Sequence, residues 1–229
     1  MKAKKPSHFD PERRALQHYR PRVQPGRPRY DMLDWGSREA QMVRFQVLTR
    51  ILRGILPGLA GEGRPRPRLL DVGCGFAELA DHLEQVGLKI DYVGLDLCPE
   101  FVAAARQRHP GLDLLIGDAF GHPPFPDAVF DFVFCSGTLN LRMENHDRFV
   151  RRALAAMLRV CRHSLIVNFL HQRVVEQYEH CRYYLPETAA ALLPAQTGPV
   201  EIIDDYLEND FTMTVRKPQA GLWYQGAFA

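Results

Sequence analysis

Apolar and polar positions follow two rhythms along the chain. Phe45, Leu48, Ile51/Leu52 and Ile55 recur at steps of three and four, which predicts a helix with one apolar face. Ser37 is placed as its N-cap with Glu39 in the first turn, and Pro57-Gly58 is read as its stop. From Leu69 onward short apolar runs take over: Leu69–Val72, Ile90–Asp96, residues 112–116, Val129–Cys135 and Ser164–Leu170. Runs of that length, apolar nearly throughout, suit buried parallel strands. Helical patterns separate them over 77–86, 99–108 and 145–162; in the last, Phe149, Ala153, Met157 and Cys161 fall at four-residue steps. Residues 171–194 read as mostly helical, interrupted by Tyr183, Tyr184 and Pro186. Val200–Ile203 and Phe211–Val215, joined through a turn at Glu208-Asn209-Asp210, predict an antiparallel hairpin. Alternating strands and helices of this kind predict the α/β class.

The stretch with the most chemistry is Leu69-Leu70-Asp71-Val72-Gly73-Cys74-Gly75-Phe76-Ala77-Glu78-Leu79. It reads as strand, glycine turn and first turn of a helix. Gly73 and Gly75 allow positive φ and let a ligand touch the backbone, while the helix start aims amide groups at it. The dinucleotide fingerprint would need Gly or Ala at position 78, where Glu78 stands. A carboxylate there opposes a pyrophosphate, and Asp71 likewise suits a cation better than a phosphate.

The pattern D-x-G-C-G resembles motif I of class I S-adenosylmethionine (SAM)-dependent methyltransferases. The resemblance covers roughly residues 64–216 and implies a single Rossmann-like doubly wound sheet of about seven strands. That sheet would be mostly parallel, with a C-terminal antiparallel hairpin and helices on both faces. It implies SAM as cofactor, S-adenosylhomocysteine as product and no metal. Asp71, Gly73, Cys74 and Gly75 would then form the turn against the cofactor. Asp96 lies 21 residues after Gly75, near the ~20-residue offset at which a second strand delivers a carboxylate to a ribose diol; its other reading is a helix cap before Pro99. Leu97 follows it. Asp118 would accept from the adenine amino group, with Ala119 and Phe120 framing the ring, although Phe120 also suits the core. Cys135 and Ser136 end strand four, where the loop Ser136–Asn140 should face the methyl group.

Trp35-Gly36-Ser37-Arg38-Glu39-Ala40-Gln41 with Arg44-Phe45, Asn168-Phe169-Leu170 and Tyr183-Tyr184 look like a bacterial subgroup of small SAM methyltransferases without a well-defined substrate. That likeness puts a helical lid over the cofactor mouth. Arg38 or Arg44 would bind the methionine carboxylate in a two-pronged hydrogen bond, and Trp35 would close the pocket; surface arginines and a helix-start staple are the alternatives. On the acceptor side the candidates are Asn140, His171, Tyr183 and Tyr184. His171 can act as a base near neutral pH, and the tyrosines can line an aromatic wall or simply pack.

A sulfonium methyl is already a strong electrophile, so the protein must mainly hold a nucleophile in line and exclude water. Several acceptor classes are argued against by absence. Cys135-Ser136-Gly137-Thr138 stands where base amino-methylation would use [N/D/S]-P-P-[Y/F/W], and His122-Pro123-Pro124-Phe125 follows strand three instead. No Pro-Cys nucleophile loop occurs, and no acid follows strand four for a catechol-type metal. The expectation is a metal-independent O-, N- or C-methyltransferase acting on a small molecule. RNA or protein methylation, and a catalytically inactive SAM-binding regulator, are the alternatives.

Charge bears on that choice. Residues 1–29 hold nine Lys/Arg and two acids, a net of +7, while the remaining 200 residues hold 20 basic and 25 acidic groups, a net of −5. An acidic body argues against nucleic acid. The expected organisation is a basic, proline-rich, flexible arm over 1–29, a helical lid over 30–63 and a methyltransferase domain over 64–229; the arm reads as a solvated tail, with a nucleic-acid arm or a lid folding over the site as its functional readings. Five scattered cysteines without a C-x-x-C pair suit a reducing cytoplasm and argue against a structural zinc site. No apolar run approaches the ~20 residues of a membrane span, and no signal peptide opens the chain. A monomer or homodimer is expected.

Overall fold

The computed structural model describes residues 10–59, 66–121, 124–195 and 197–218. Helix α1 (Pro11–Tyr19) is followed by a 3-10 turn at Arg20–Arg22, a short α2 (Arg29–Met32) and the long α3 (Arg38–Leu59). Then come β1 (Arg68–Val72), α4 (Glu78–Gln85), β2 (Asp91–Asp96), α5 (Pro99–Arg108), β3 (Asp113–Ile116) and β4 (Phe130–Cys135). Helix α6 (His146–Val160), β5 (Cys161–His171), β6 (Tyr183–Tyr184), α7 (Pro186–Ala190), β7 (Val200–Ile203) and β8 (Asp210–Arg216) complete the order.

The strands form one sheet in the order β3-β2-β1-β4-β5-β8-β7, with β6 added alongside β5. Strands β1 to β5 pair in parallel, as at Leu70↔Val93 and Leu70↔Val133. β8 runs antiparallel to both β5 and β7, so the hairpin read from the sequence is present. Successive strand residues face opposite sides. Leu69, Phe132 and Ile166 pack with Phe45, Leu48 and Leu52 of α3, Leu79 and Leu83 of α4, and Val102 of α5. Leu70, Val133 and Leu165 pack with Val150, Leu154 and Met157 of α6 on the other face. A small third cluster, Met32, Phe76, Cys98 and Phe101, lies under Leu16, Tyr19 and Leu33 of the N-terminal segment.

Several boundaries differ from the sequence reading, each for a local reason. Residues 10–29 are not an extended arm: Asp10 caps α1 by accepting from Arg13 N at 3.1 Å, and Pro11 takes the first helical position. Residues 1–9 of the expected arm lie outside the described residues. Helix α3 continues through Pro57 to Leu59. The Ser37 cap is present, its Oγ accepting from Ala40 N at 3.0 Å. Cys161 belongs to β5, not to the helix before it; β5 follows α6 with no intervening loop and runs 11 residues. Residues 172–182 are turns and coil; Tyr183-Tyr184, two aromatic residues with strand preference, pair with Leu170 and His171 as an eighth strand.

Candidate functional site

A cavity opens at the carboxyl ends of β1, β2, β3 and β4, where a parallel sheet leaves room between its connections. Its floor is Asp71, Val72, Gly73 and Cys74 from the first strand and turn; Leu95 to Cys98 from the second; Gly117 to Phe120 after the third; and Ser136, Gly137 and Thr138 after the fourth. Its roof is Glu12, Ala15, Leu16 and Tyr19 of α1, with Leu33 and Trp35.

The glycine turn is shaped for close approach. Gly73 N and Cys74 N both donate to Leu95 O, at 2.7 and 3.2 Å, which ties the turn to β2. Gly73 has φ +75°, and a Cβ on it would collide with Thr138 Oγ1. Gly75 has φ +54°, a Cβ there would meet Leu33 Cδ2 at 2.7 Å, and its N–H donates to Asp96 Oδ2 at 2.8 Å. The other Asp96 oxygen accepts from Cys98 N at 2.8 Å. Asp96 therefore holds both connections together while its carboxyl borders the cavity.

Three acids, Asp71, Asp96 and Asp118, line this edge. Asp71 is buried and accepts from the Tyr92 hydroxyl at 2.7 Å; burial pushes its carboxyl up to about 7. Burial also raises Asp96. Asp118 accepts from Phe120 N at 2.8 Å and from Gly121 N. Across the cavity, Glu12 is raised by burial and by facing Asp118. Acids around a glycine turn fit a cation-bearing nucleoside ligand: the acids lower the cost of its charge, and the bare turn admits it.

The sequence-predicted residues divide into two groups. Trp35, Asp71, Gly73, Cys74, Asp96, Leu97, Asp118, Ala119, Phe120 and Ser136 all border the cavity. Trp35 lies against Gly137, and Phe120 meets Phe149 edge-on at 5.5 Å, so it serves core and cavity together. Gly75 supports the turn from behind, against Leu33. Cys135 is fully buried in β4, one residue short of the cavity edge.

Arg38 is exposed at the start of α3, away from the cavity lining. Arg44 is buried, pairs with Asp210, donates to Ala40 O at 2.6 Å and lies 4.3 Å from the Trp35 ring centroid. Its guanidinium is engaged by the protein instead of facing a ligand carboxylate, because position 44 turns toward β8, not toward the turn.

The four acceptor-side candidates also sit apart from the cavity lining. Asn140 is buried, its carbonyl accepting from Arg182 N at 2.8 Å. Nδ1 of His171 accepts from Arg173 N at 3.1 Å, and its Nε2 is 3.9 Å from Asp204. Tyr183 accepts from Tyr178 N at 3.0 Å, and Tyr184 donates to Asp147 at 2.8 Å. Pairing with β5 draws both tyrosines into the sheet.

Sequence reasoning weighed a lid over the site for residues 1–29 but did not see the helix that makes the roof. Asp10-Pro11 followed by Ala15, Leu16 and Tyr19 is a helix start with an apolar stripe, masked by the prolines and arginines around it. It also missed what Glu78 does. The residue that breaks the dinucleotide fingerprint accepts from Arg29 Nε at 2.9 Å and Gln41 Nε2 at 3.0 Å, tying the N-terminal segment to the first turn of α4.

Residues 70–164 match the protein family described as "Methyltransferase domain". Demethylmenaquinone methyltransferase from Deinococcus radiodurans is 35% identical over 105 residues, 41% of this chain and 43% of that protein. The phthiotriol/phenolphthiotriol dimycocerosates methyltransferase of Mycobacterium tuberculosis is 36% identical over 97 residues, 42% of this chain and 34% of that protein. The chain thus matches less than half the length of these relatives. Among solved structures, magnesium protoporphyrin IX methyltransferase from Synechocystis PCC 6803 with bound SAM superposes with a TM-score of 0.58 at 13% identity, covering 93% of this chain and 100% of that one. The [4+2]-cyclase SpnF superposes with a TM-score of 0.55 at 20% identity, covering 69% and 78%. These structural likenesses speak to fold.

Proposed function

We propose that the chain is a class I SAM-dependent methyltransferase, from the match of residues 70–164 to the methyltransferase domain and its likeness to named methyltransferases, and that it methylates an O, N or C atom of a small, largely apolar acceptor, with no metal at the reacting centre. When bound, SAM supplies an electrophilic methyl group on a sulfonium. Asp71 would hold the ligand's amino group, Asp96 its ribose diol and Asp118 its adenine, with the backbone of Gly73 and Cys74 alongside; all five line the cavity.

The observation that carries the acceptor reading is the roof. Leu16, Leu33, Phe101, Leu141 and Met143 line the cavity beside the three acids, and α1 lies across it. An enclosed apolar space favours a small acceptor and keeps water from the reacting centre. Two curated relatives are named for demethylmenaquinone and for phthiotriol/phenolphthiotriol dimycocerosates. Nucleic acid is disfavoured because four arginines of the N-terminal segment are engaged internally: Arg20 with Glu100, Arg22 with Asp34, Arg27 with Asp31 and Arg29 with Glu78.

Calorimetry with SAM and S-adenosylhomocysteine tests the cofactor. Binding is expected for the intact chain and at least about tenfold weaker for Asp96→Asn, which loses a charged acceptor. Methyl-labelled SAM with fractionated extract tests the acceptor. Label in the small-molecule fraction is expected; label confined to RNA or protein would overturn the small-acceptor reading, and binding without transfer would point to a regulator.

A further inference from the structure

We propose that His18, Asp34 and His180 form a binding site for one divalent transition-metal ion of the zinc class, which straps α1 and the loop after β5 to the turn before α3. Nε2 of His18 lies 2.8 Å from Asp34 Oδ2, and Nε2 of His180 lies 3.1 Å from the same oxygen. All three donor atoms fall within 4.8 Å of one another. The residues are 16 and 146 positions apart in sequence, so three separate segments converge on one point.

The donor set selects the ion. Two imidazole nitrogens and one carboxylate oxygen suit zinc, whereas magnesium and calcium prefer oxygen. Zinc bonds of about 2.0–2.2 Å in tetrahedral geometry separate neighbouring donors by roughly 3.3 Å, so each nitrogen–oxygen separation needs to open by only a few tenths of an ångström. The imidazole rings are stacked with centroids 5.3 Å apart, and both direct Nε2 at one oxygen. To take the ion, each neutral imidazole carries its proton on Nδ1. Arg22 holds the other Asp34 oxygen, an outer contact that fixes the carboxylate's orientation. Side-chain exposures of 13% for His18, 21% for Asp34 and 37% for His180 leave an ion a way in.

None of the three lines the cavity, so the proposed ion sits beside it and not in it. Their chain neighbours do line it: Tyr19 follows His18 and Trp35 follows Asp34. An ion here therefore fastens the roof.

The test uses the untagged full chain, dialysed against EDTA, without SAM. Titration with zinc chloride should show one equivalent bound and a raised thermal midpoint, with no response to magnesium. Cobalt(II) should give the visible bands of a four-coordinate nitrogen–oxygen site without thiolate charge transfer. His18→Gln and His180→Asn, each checked for folding by circular dichroism, should weaken zinc binding by more than the roughly 10–100-fold typical of outer-shell changes. Absence of stoichiometric zinc uptake by the intact chain would overturn the site. So would uptake undiminished in both variants, or a thiolate cobalt spectrum, either of which would place the ion elsewhere.

Discussion

Arg44 on α3 reaches Asp210 at the start of β8, and both side chains are buried, 3% and 0% exposed. Asn168 Nδ2 donates to the same carboxylate at 3.3 Å, and burial pushes Asp210 up to about 6. A buried pair of this kind adds little net stability, but removing one partner strands a charge, at a cost of about 3–5 kcal/mol. Arg44→Ala should therefore lower stability by that amount in urea denaturation. Arg44→Met combined with Asp210→Leu should recover most of it. Arg38→Ala, on the exposed turn of the same helix, should alter neither stability nor cofactor affinity by more than about twofold.

Asp71 gives the site a pH dependence of definite sign. Its folded value of about 7 lies above the ordinary aspartate value. Between those two values the folded chain holds more protons than the unfolded one, so this group's contribution to stability falls as pH rises from about 4 to about 7. A cationic ligand amino group opposite Asp71 favours the ionised form. Cofactor affinity should accordingly rise between pH 6 and 8, with proton release on binding. Calorimetry in two buffers of different ionisation enthalpy measures that release. Asp71→Asn should abolish it and flatten the affinity profile.

The sheet was legible because its strands are continuous apolar runs closed by Gly, Asp or Pro, signals that survive without tertiary information. The floor of the cavity was legible for the same reason: Asp71, Asp96 and Asp118 each stand at the end of such a run. Arg44 was not, since helical periodicity places a residue on a face but does not say that Asp210, 166 positions later, waits there. Tyr183 and Tyr184 misled because two residues are too short a strand to announce itself. The roof was hidden by composition: a window of prolines and arginines reads as solvated chain, although the cap and the apolar stripe of α1 lie inside it.

His171 and Tyr183 are each satisfied within the protein. His171 packs edge-on to Phe211 at 5.5 Å and braces the backbone of Arg173; Tyr183 accepts from Tyr178 N. Tyr183→Phe should cost about 1 kcal/mol of stability through the lost hydrogen bond and leave turnover unchanged. His171→Ala should do the same at somewhat greater cost, since a buried ring is removed. Thermal denaturation alongside a methyl-transfer assay separates the two readouts. A fall in kcat at unchanged stability would return either residue to the reacting centre.

Gly75 and Leu33 press against one another from opposite sides of the turn. Gly75→Ala brings a Cβ to 2.7 Å from Leu33 Cδ2 and forces an L-residue to φ +54°. The first effect is steric and depends on Leu33. The second is a backbone cost of about 1–2 kcal/mol that no neighbour can relieve. A double-mutant cycle separates them. Gly75→Ala alone should destabilise by the sum of both, and Leu33→Ala alone by the apolar contact it loses with the cluster of Met32, Phe76, Cys98 and Phe101. The double variant should be more stable than additivity predicts, by the size of the steric part. Because Gly75 N donates to Asp96, the single variant should also loosen that carboxylate and weaken S-adenosylhomocysteine binding. Strict additivity in urea denaturation would mean that the N-terminal segment shifts away freely and that Leu33 does not set the position of the turn.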